Sequence, residues 1–128
     1  MKKSNYNLKI ERENGSFDEV SFSFRITEIS EEIIDDIKFL LKNEDVIINK
    51  PKLRNFYVVL FEDIGQDFNI ELIKKIIENY KLSQKQYGFW ISINSEYGHG
   101  GGYIPSEILA FYRIIGGQID FSYIIMTE

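Results

Sequence analysis

The sequence predicts an α/β (α+β) fold, in which a mixed β-sheet carries about three packed helices. Three patterns predict it: a hairpin-like alternation near the start, two amphipathic helical segments around an apolar run, and a closing strand-helix-strand unit. The chain has 128 residues, of which 44% are hydrophobic and 27% charged. Since this size and balance are typical of one globular domain, we predict a single domain over residues 1–128.

The opening segment predicts an N-terminal β-hairpin. Tyr6, Leu8 and Ile10 alternate with polar residues, and a second alternating run extends from Val20 to Ile26. Asn14-Gly15 lies between the two runs and is a strong signal for a tight turn.

A first helix is predicted after Ser30, which has the character of an N-cap and precedes two glutamates that the helix dipole favours. It should end near Asn43, and a short strand is predicted over Val46–Ile48. Its apolar stripe consists of Ile33, Ile34, Ile37, Leu40 and Leu41.

A continuous apolar run, Phe56–Phe61, predicts a strand covered on both faces and therefore central in the sheet. A second helix should follow from a cap at Asp67 or Asn69. Its inward face would be formed by Ile70, Ile73, Ile76, Ile77 and Tyr80.

The C-terminal part predicts a strand-helix-strand unit. A strand over Phe89–Asn94 leads through the glycine-rich loop Gly98–Gly102 to a helix over Pro105–Ile115, with Pro105 at the first helical position. Gly116-Gly117 should end this helix before a last strand over Ile119–Ile125. Helical crossovers predict some parallel pairing. Because this third of the chain carries few charges, we expect it to supply central, buried elements.

Composition excludes several classes of protein. With no cysteine, the chain has no disulfide, iron–sulfur cluster or thiolate zinc site. No stretch approaches the roughly 20 apolar residues that span a bilayer, and the polar start predicts no signal peptide and a cytoplasmic location. A net charge of −5 disfavours nucleic acid and anionic membranes as partners, and favours a basic one.

The glycine-rich loop could support chemistry at one residue, His99. His99-Gly100-Gly101-Gly102 matches the oxyanion-hole tetrad of some esterases, but no Gly-x-Ser-x-Gly elbow accompanies it. The loop precedes a helix and could cradle a phosphate, yet it lacks the lysine of a P-loop. We therefore predict no catalytic residue and no cofactor, and keep a small enzyme or phosphate-binding domain at Gly98–Gly102 as the alternative.

Acidic residues offer two candidate surfaces. Glu62, Asp63 and Asp67 follow the apolar strand, where a metal site and a helix-capping turn are both possible; we predict no metal. Asp35 and Asp36 belong to an acidic face of the first helix, which is either a solvated face or a surface for a basic protein.

Aromatic residues near the glycines resemble protein-binding anchors. Tyr97 and Tyr103 flank the loop, whereas Trp90 lies on the polar side of its strand and is more consistent with an aromatic that covers the sheet. A structural or regulatory oligomer that pairs through the Trp90 face is a further alternative.

The closing unit resembles that of small bacterial immunity proteins, which are encoded beside contact-dependent growth inhibition and other polymorphic toxins. The resemblance covers about the last 40 residues. Its motifs are Phe89-Trp90-Ile91-Ser92-Ile93, the glycine-rich loop, Tyr103-Ile104-Pro105-Ser106-Glu107-Ile108-Leu109, and Gly116-Gly117-Gln118-Ile119-Asp120-Phe121-Ser122-Tyr123.

The resemblance implies a protein without enzymatic activity that binds a cognate toxin domain, often a nuclease with a basic surface, and occludes its active site. The partner would be that toxin's C-terminal domain, and the protein itself a monomer or homodimer. Acidic and loop aromatic side chains are then the candidate toxin-binding residues, namely Asp35, Asp36, Glu62, Asp63, Asp67, Glu96, Tyr97, His99 and Tyr103.

Overall fold

The structure, a computed structural model, describes residues 5–13, 17–95 and 102–125. Within these ranges a six-stranded mixed sheet and three helices confirm the predicted fold class, with its N-terminal hairpin and C-terminal strand-helix-strand. In chain order the elements are β1 (Leu8–Glu11), β2 (Phe17–Ile29), α1 (Glu31–Leu40), β3 (Ile47–Asn49), β4 (Tyr57–Phe61), α2 (Ile70–Asn79), β5 (Tyr87–Ser95), α3 (Ser106–Ile115) and β6 (Gln118–Ile125). The predicted turn at Asn14-Gly15 lies outside the described residues.

The long strand β2 forms the centre of the sheet. The strand order is β3-β4-β2-β5-β6, and β1 also pairs with β2. One edge of β2 pairs with β5, while β1 and β4 share the other edge end to end, all antiparallel. The Phe56–Phe61 run forms β4, an interior strand between β3 and β2 that lies one place from the centre. The prediction that it is covered on both faces is wrong: Val59 and Phe61 are buried, but Val58 and Leu60 are only half-buried.

Parallel pairing occurs where the last crossover predicts it. β5 and β6 run parallel, from Gly88 opposite Gln118 to Ser95 opposite Ile125, with α3 as their connection. α2 connects β4 to β5, which point the same way but are separated by β2, because both are antiparallel to it. This second crossover thus passes over the central strand.

The hydrophobic core lies on one face of the sheet, under the three helices. Alternate residues of β2, such as Phe22 and Phe24, are fully buried there. The Phe24 ring contacts Phe89 at 5.0 Å and Phe68 at 5.6 Å between centroids, with edge-on or tilted geometry. The helices contribute their buried side chains to the same cluster, namely Ile34, Ile37, Ile73, Ile76, Ile108 and Ile115.

The helix ends show which polar residues act as caps. Asn69, one of the two predicted caps of α2, accepts a hydrogen bond from the backbone N–H of Leu72 at 3.2 Å. Ser30 occupies the N-cap of α1 but makes no capping bond with its side chain. Pro105 is the N-cap of α3, whereas the sequence predicted it as the first helical residue; the helix therefore begins one residue later, at Ser106. Gly116 ends this helix at a φ of 70°.

An ion pair fixes the turn end of the hairpin against β5. Asp18 is only 3% exposed. Its two carboxylate oxygens accept hydrogen bonds from Nη2 of Arg12 at 3.1 and 2.9 Å, and the same nitrogen lies 3.5 Å from Oγ of Ser95. Because Ser95 pairs with Asp18 across the sheet, these contacts join β1, β2 and β5.

The expectation of a buried C-terminal third holds for β5 and fails for β6. Tyr87, Phe89 and Ile91 of β5 are buried, since β5 lies between two strands. β6 is the last strand of the sheet, and its Phe121 is 63% exposed. A segment with few charges has an apolar surface, but its sequence does not show whether other parts of the same chain bury that surface.

No helix within the described ranges is both long enough and apolar enough to cross a membrane.

Candidate functional site

Two acidic turns meet at the end of β4. The turn after α1 brings Glu44 and Asp45, and the turn after β4 brings Glu62, Asp63 and Asp67. Together with Asn43, Phe61, Ile64, Gly65 and Phe68, they line a hollow of about 170 Å³, which we name the acidic cleft. Five carboxylates around one concave surface concentrate a negative potential there.

Side-chain and backbone hydrogen bonds hold the second of these turns in place. Asp63 has a φ of 50°, and its Oδ1 accepts a hydrogen bond from Nδ2 of Asn7 at 2.8 Å. The next residue, Ile64, donates its N–H to the carbonyl of Phe22 at 2.9 Å and accepts from the N–H of Tyr6 at 3.0 Å. The turn is therefore fixed to the central strand, and its carboxylates are presented from a rigid support.

In the part of the chain that the structure describes, no group of three or more acidic, histidine or cysteine side chains is arranged to hold a metal ion.

A second hollow lies beside the cleft, on the sheet face opposite the core. It measures about 270 Å³ and is lined by Ser21, Phe22, Ser23, Arg25, Leu60, Glu62, Asp63, Trp90 and Ser92. No described helix packs on this face. Glu62 and Asp63 are exposed, Phe22 is buried, and the other lining residues are half-buried. Glu62 and Asp63 line both hollows, so the acidic cleft and this open-face hollow form one continuous surface.

Arg25 and Trp90 dominate the open-face hollow. The guanidinium carbon of Arg25 lies 4.1 Å from the centroid of the Trp90 ring, a cation–π contact. Trp90 in turn donates its indole N–H to Oγ of Ser122 at 3.2 Å, and the Ser122 hydroxyl lies 3.0 Å from that of Ser92. Strand pairing and these bonds fix the position of the Trp90 ring on this face of the sheet.

One buried polar atom of this hollow forms no hydrogen bond with the described residues. Nε of Arg25 is buried and has no hydrogen-bond partner there. A buried donor without a partner costs on the order of 1–3 kcal/mol.

The predicted acidic face of α1 lies away from the cleft. Asp36 accepts a hydrogen bond from Tyr80, and burial, followed by this carboxylate, raises the pKa of that tyrosine. A hydrogen bond to Glu31 raises the pKa of Tyr57, and the charge of Asp35 adds to the rise. Tyr57 begins β4 whereas the cleft lies at its end, about 13 Å of strand away.

Tyr103 lies near β5 and β6, apart from the acidic cleft at the end of β4. It is 64% exposed and borders an apolar groove of about 390 Å³ beside β6. The groove is lined by Val20, Ile91, Ile93, Gly102, Tyr103, Ile104, Leu109 and Phe121. Glu96, Tyr97, His99 and most of the Gly98–Gly102 loop lie outside the described residues, so the alternative site at that loop is neither supported nor excluded.

The structure therefore unites three of the nine candidate residues, Glu62, Asp63 and Asp67, and separates Asp35, Asp36 and Tyr103 from them. Sequence reasoning missed Glu44, Asp45 and Arg25. A signal for Arg25 existed, because it occupies a polar-face position of β2. Its contact with Trp90 depends on the register that places Ser23 opposite Trp90, and the sequence does not specify that register.

The described elements define an α+β protein with helices on one sheet face and a mixed acidic and aromatic surface beside the other. The chain matches no protein-family model, no curated protein sequence and no solved structure. Its resemblance to immunity proteins therefore stays a prediction from the closing strand-helix-strand motifs.

Proposed function

We propose that this protein is an immunity protein, which binds a cognate toxin domain and occludes its active site. The observation that supports it most is the continuous surface formed by the acidic cleft and the open-face hollow. Carboxylates beside a tryptophan and an arginine are the combination expected where a protein binds a basic partner, because charge guides the encounter and large side chains supply contact area.

Each part of the surface has a distinct role in this proposal. The acidic cleft receives lysine or arginine side chains with which the toxin binds its own substrate. Trp90 and Arg25 then offer contact area next to the cleft, and a carboxylate or carbonyl of the toxin meets the guanidinium group of Arg25. Neutralisation follows from occupancy alone, since a toxin surface covered in this way excludes its substrate. The proposal places the protein in the cytoplasm, as the target compartment of such toxins requires.

The test is complex formation with the toxin domain encoded beside this chain. We expect co-expression to protect cells, and a 1:1 complex on size exclusion. Glu44→Lys/Glu62→Lys reverses charge inside the cleft and should slow association by at least about tenfold at low salt.

Asp35→Lys/Asp36→Lys is the matched control, because it changes the net charge by the same amount on α1. It should slow association by less than about threefold, through the overall field only. Equal effects of the two variants would remove the acidic cleft from the interface. Absence of both protection and complex would refute the proposed function itself.

A further inference from the structure

The strand β6 gathers four of the exposed large apolar side chains of the described chain along one edge of the sheet. Apart from its pairing with β5, β6 has no described strand beside it, so half of its backbone N–H and C=O groups face outward. Its exposed large side chains are Phe121, Tyr123, Ile124 and Ile125.

Natural sheet edges are usually protected, and the two edges of this sheet differ in that respect. The opposite edge, β3, has only three residues, a length that offers little to a pairing strand. β6 has eight residues, Gln118–Ile125, with no proline or lysine and a single charged side chain, Asp120. An edge that lacks these protections is suited to pairing with another strand.

We infer that the strand which covers β6 is β6 of a second copy, so that the protein forms a two-fold dimer with one continuous sheet. An antiparallel strand pair satisfies the outward backbone groups of both copies by the same bonds, as a closed two-fold interface requires. Charge favours this occupant: the chain carries a net charge of −5, and β6 is a nearly uncharged edge. Two copies of the same negatively charged chain repel each other least when they meet at this edge. A basic partner has only one carboxylate, that of Asp120, to bind on β6.

Side-chain chemistry selects the register. A two-fold axis at Ser122 keeps the helices of both copies on the same sheet face and places Phe121 opposite Tyr123 of the second copy. Asp120 then lies opposite Ile124, about 13 Å along the strand from Asp120 of the second copy. The apolar groove beside Phe121 is continuous with this seam and accepts part of the aromatic pair. The edge is small, and we expect a Kd of about micromolar order, typical of small interfaces.

The first test is the oligomeric state of the full chain by sedimentation, which does not depend on any toxin and so is separate from the proposed function. The 15.1 kDa chain should sediment at twice that mass at concentrations above the Kd. Phe121→Glu should give a monomer. Phe39→Glu is the matched control, since Phe39 on α1 is 66% exposed, close to the 63% of Phe121, and should stay dimeric. A monomeric wild-type chain, or a dimeric Phe121→Glu variant, would overturn the inference.

The second test leaves the apolar edge intact and determines the register between the two β6 strands by disulfide cross-linking. The chain has no cysteine, so a single introduced thiol reports one contact. Residues at a two-fold axis of paired strands lie about 4.5–5.5 Å apart between Cα atoms, within disulfide range. Ser122→Cys should therefore form a disulfide-linked dimer under mild oxidation, whereas Ile124→Cys should not. Failure of Ser122→Cys to link, or equal linking by both variants, would contradict pairing at Ser122.

Discussion

Tyr87 shows how one side chain joins the sheet to a helix end. Its ring packs in the core beside Phe24, and its hydroxyl donates a hydrogen bond to the carbonyl of Ile115 at 3.1 Å in a buried setting. The bond satisfies one of the last carbonyls of α3, which lack partners inside the helix. Tyr87 thus fixes where α3 ends relative to β5.

We predict that Tyr87→Phe lowers the free energy of unfolding at neutral pH by about 1–2 kcal/mol, because it leaves the Ile115 carbonyl buried without this donor. The measurement is urea unfolding followed by circular dichroism. Tyr103→Phe is the control, since this exposed hydroxyl should contribute nothing measurable to stability.

The same tyrosine predicts a dependence on alkaline pH. Burial raises the pKa of Tyr87 above its ordinary value of 10.0. The unfolded chain therefore loses this proton first, so the stabilisation is fully present below about pH 10 and disappears as the pH rises from there through the raised pKa. Tyr87→Phe should show a shallower alkaline loss of stability than wild type, and parallel curves would contradict this role.

At the scale of elements, α1 and α2 offer a comparison of two N-caps. Asn69 caps α2 with its side chain, whereas Ser30 at the same position of α1 does not. Asn69→Ala should lower the free energy of unfolding by about 1 kcal/mol, because it removes an acceptor for the Leu72 N–H. Ser30→Ala should cost much less. Chemical denaturation of both variants tests the pair, and equal losses would show that the Asn69 bond is not what stabilises α2.

At the scale of the whole molecule, the central position of β2 predicts the pattern of amide exchange. β2 pairs along both of its edges and its inward side chains are fully buried, whereas β1 and β3 are short strands. Exchange of the β2 and β5 amides should require opening of the whole sheet and be slowest. Hydrogen exchange by mass spectrometry should show β1 and β3 exchanging faster. Equal protection in β2 and β3 would contradict a sheet centred on β2.

Local patterns were sufficient to predict the elements, and long-range pairing was not predictable from them. The alternation around β1 and β2 and the stripe of α2 follow from neighbouring residues, so a sequence shows them directly. Which strand is central, and that β6 is an edge, depend on partners distant in the chain. The acidic cleft illustrates the limit: Glu62 and Asp63 were predicted together, but Glu44 reaches them only because β3 pairs with β4.

The pairing of β2 with β5 has a consequence for synthesis of the chain. Residue 26 pairs with residue 87, and residue 18 with residue 95. The strand that pairs with β2, the longest strand, is therefore synthesised much later than β2 itself. Until then one edge of β2 has no strand paired along it, and the ring of Phe24 lacks its contact with Phe89 of β5. Sheets with such distant contacts close slowly. We therefore expect the yield of folded protein to depend strongly on chaperones that bind nascent chains at the ribosome exit.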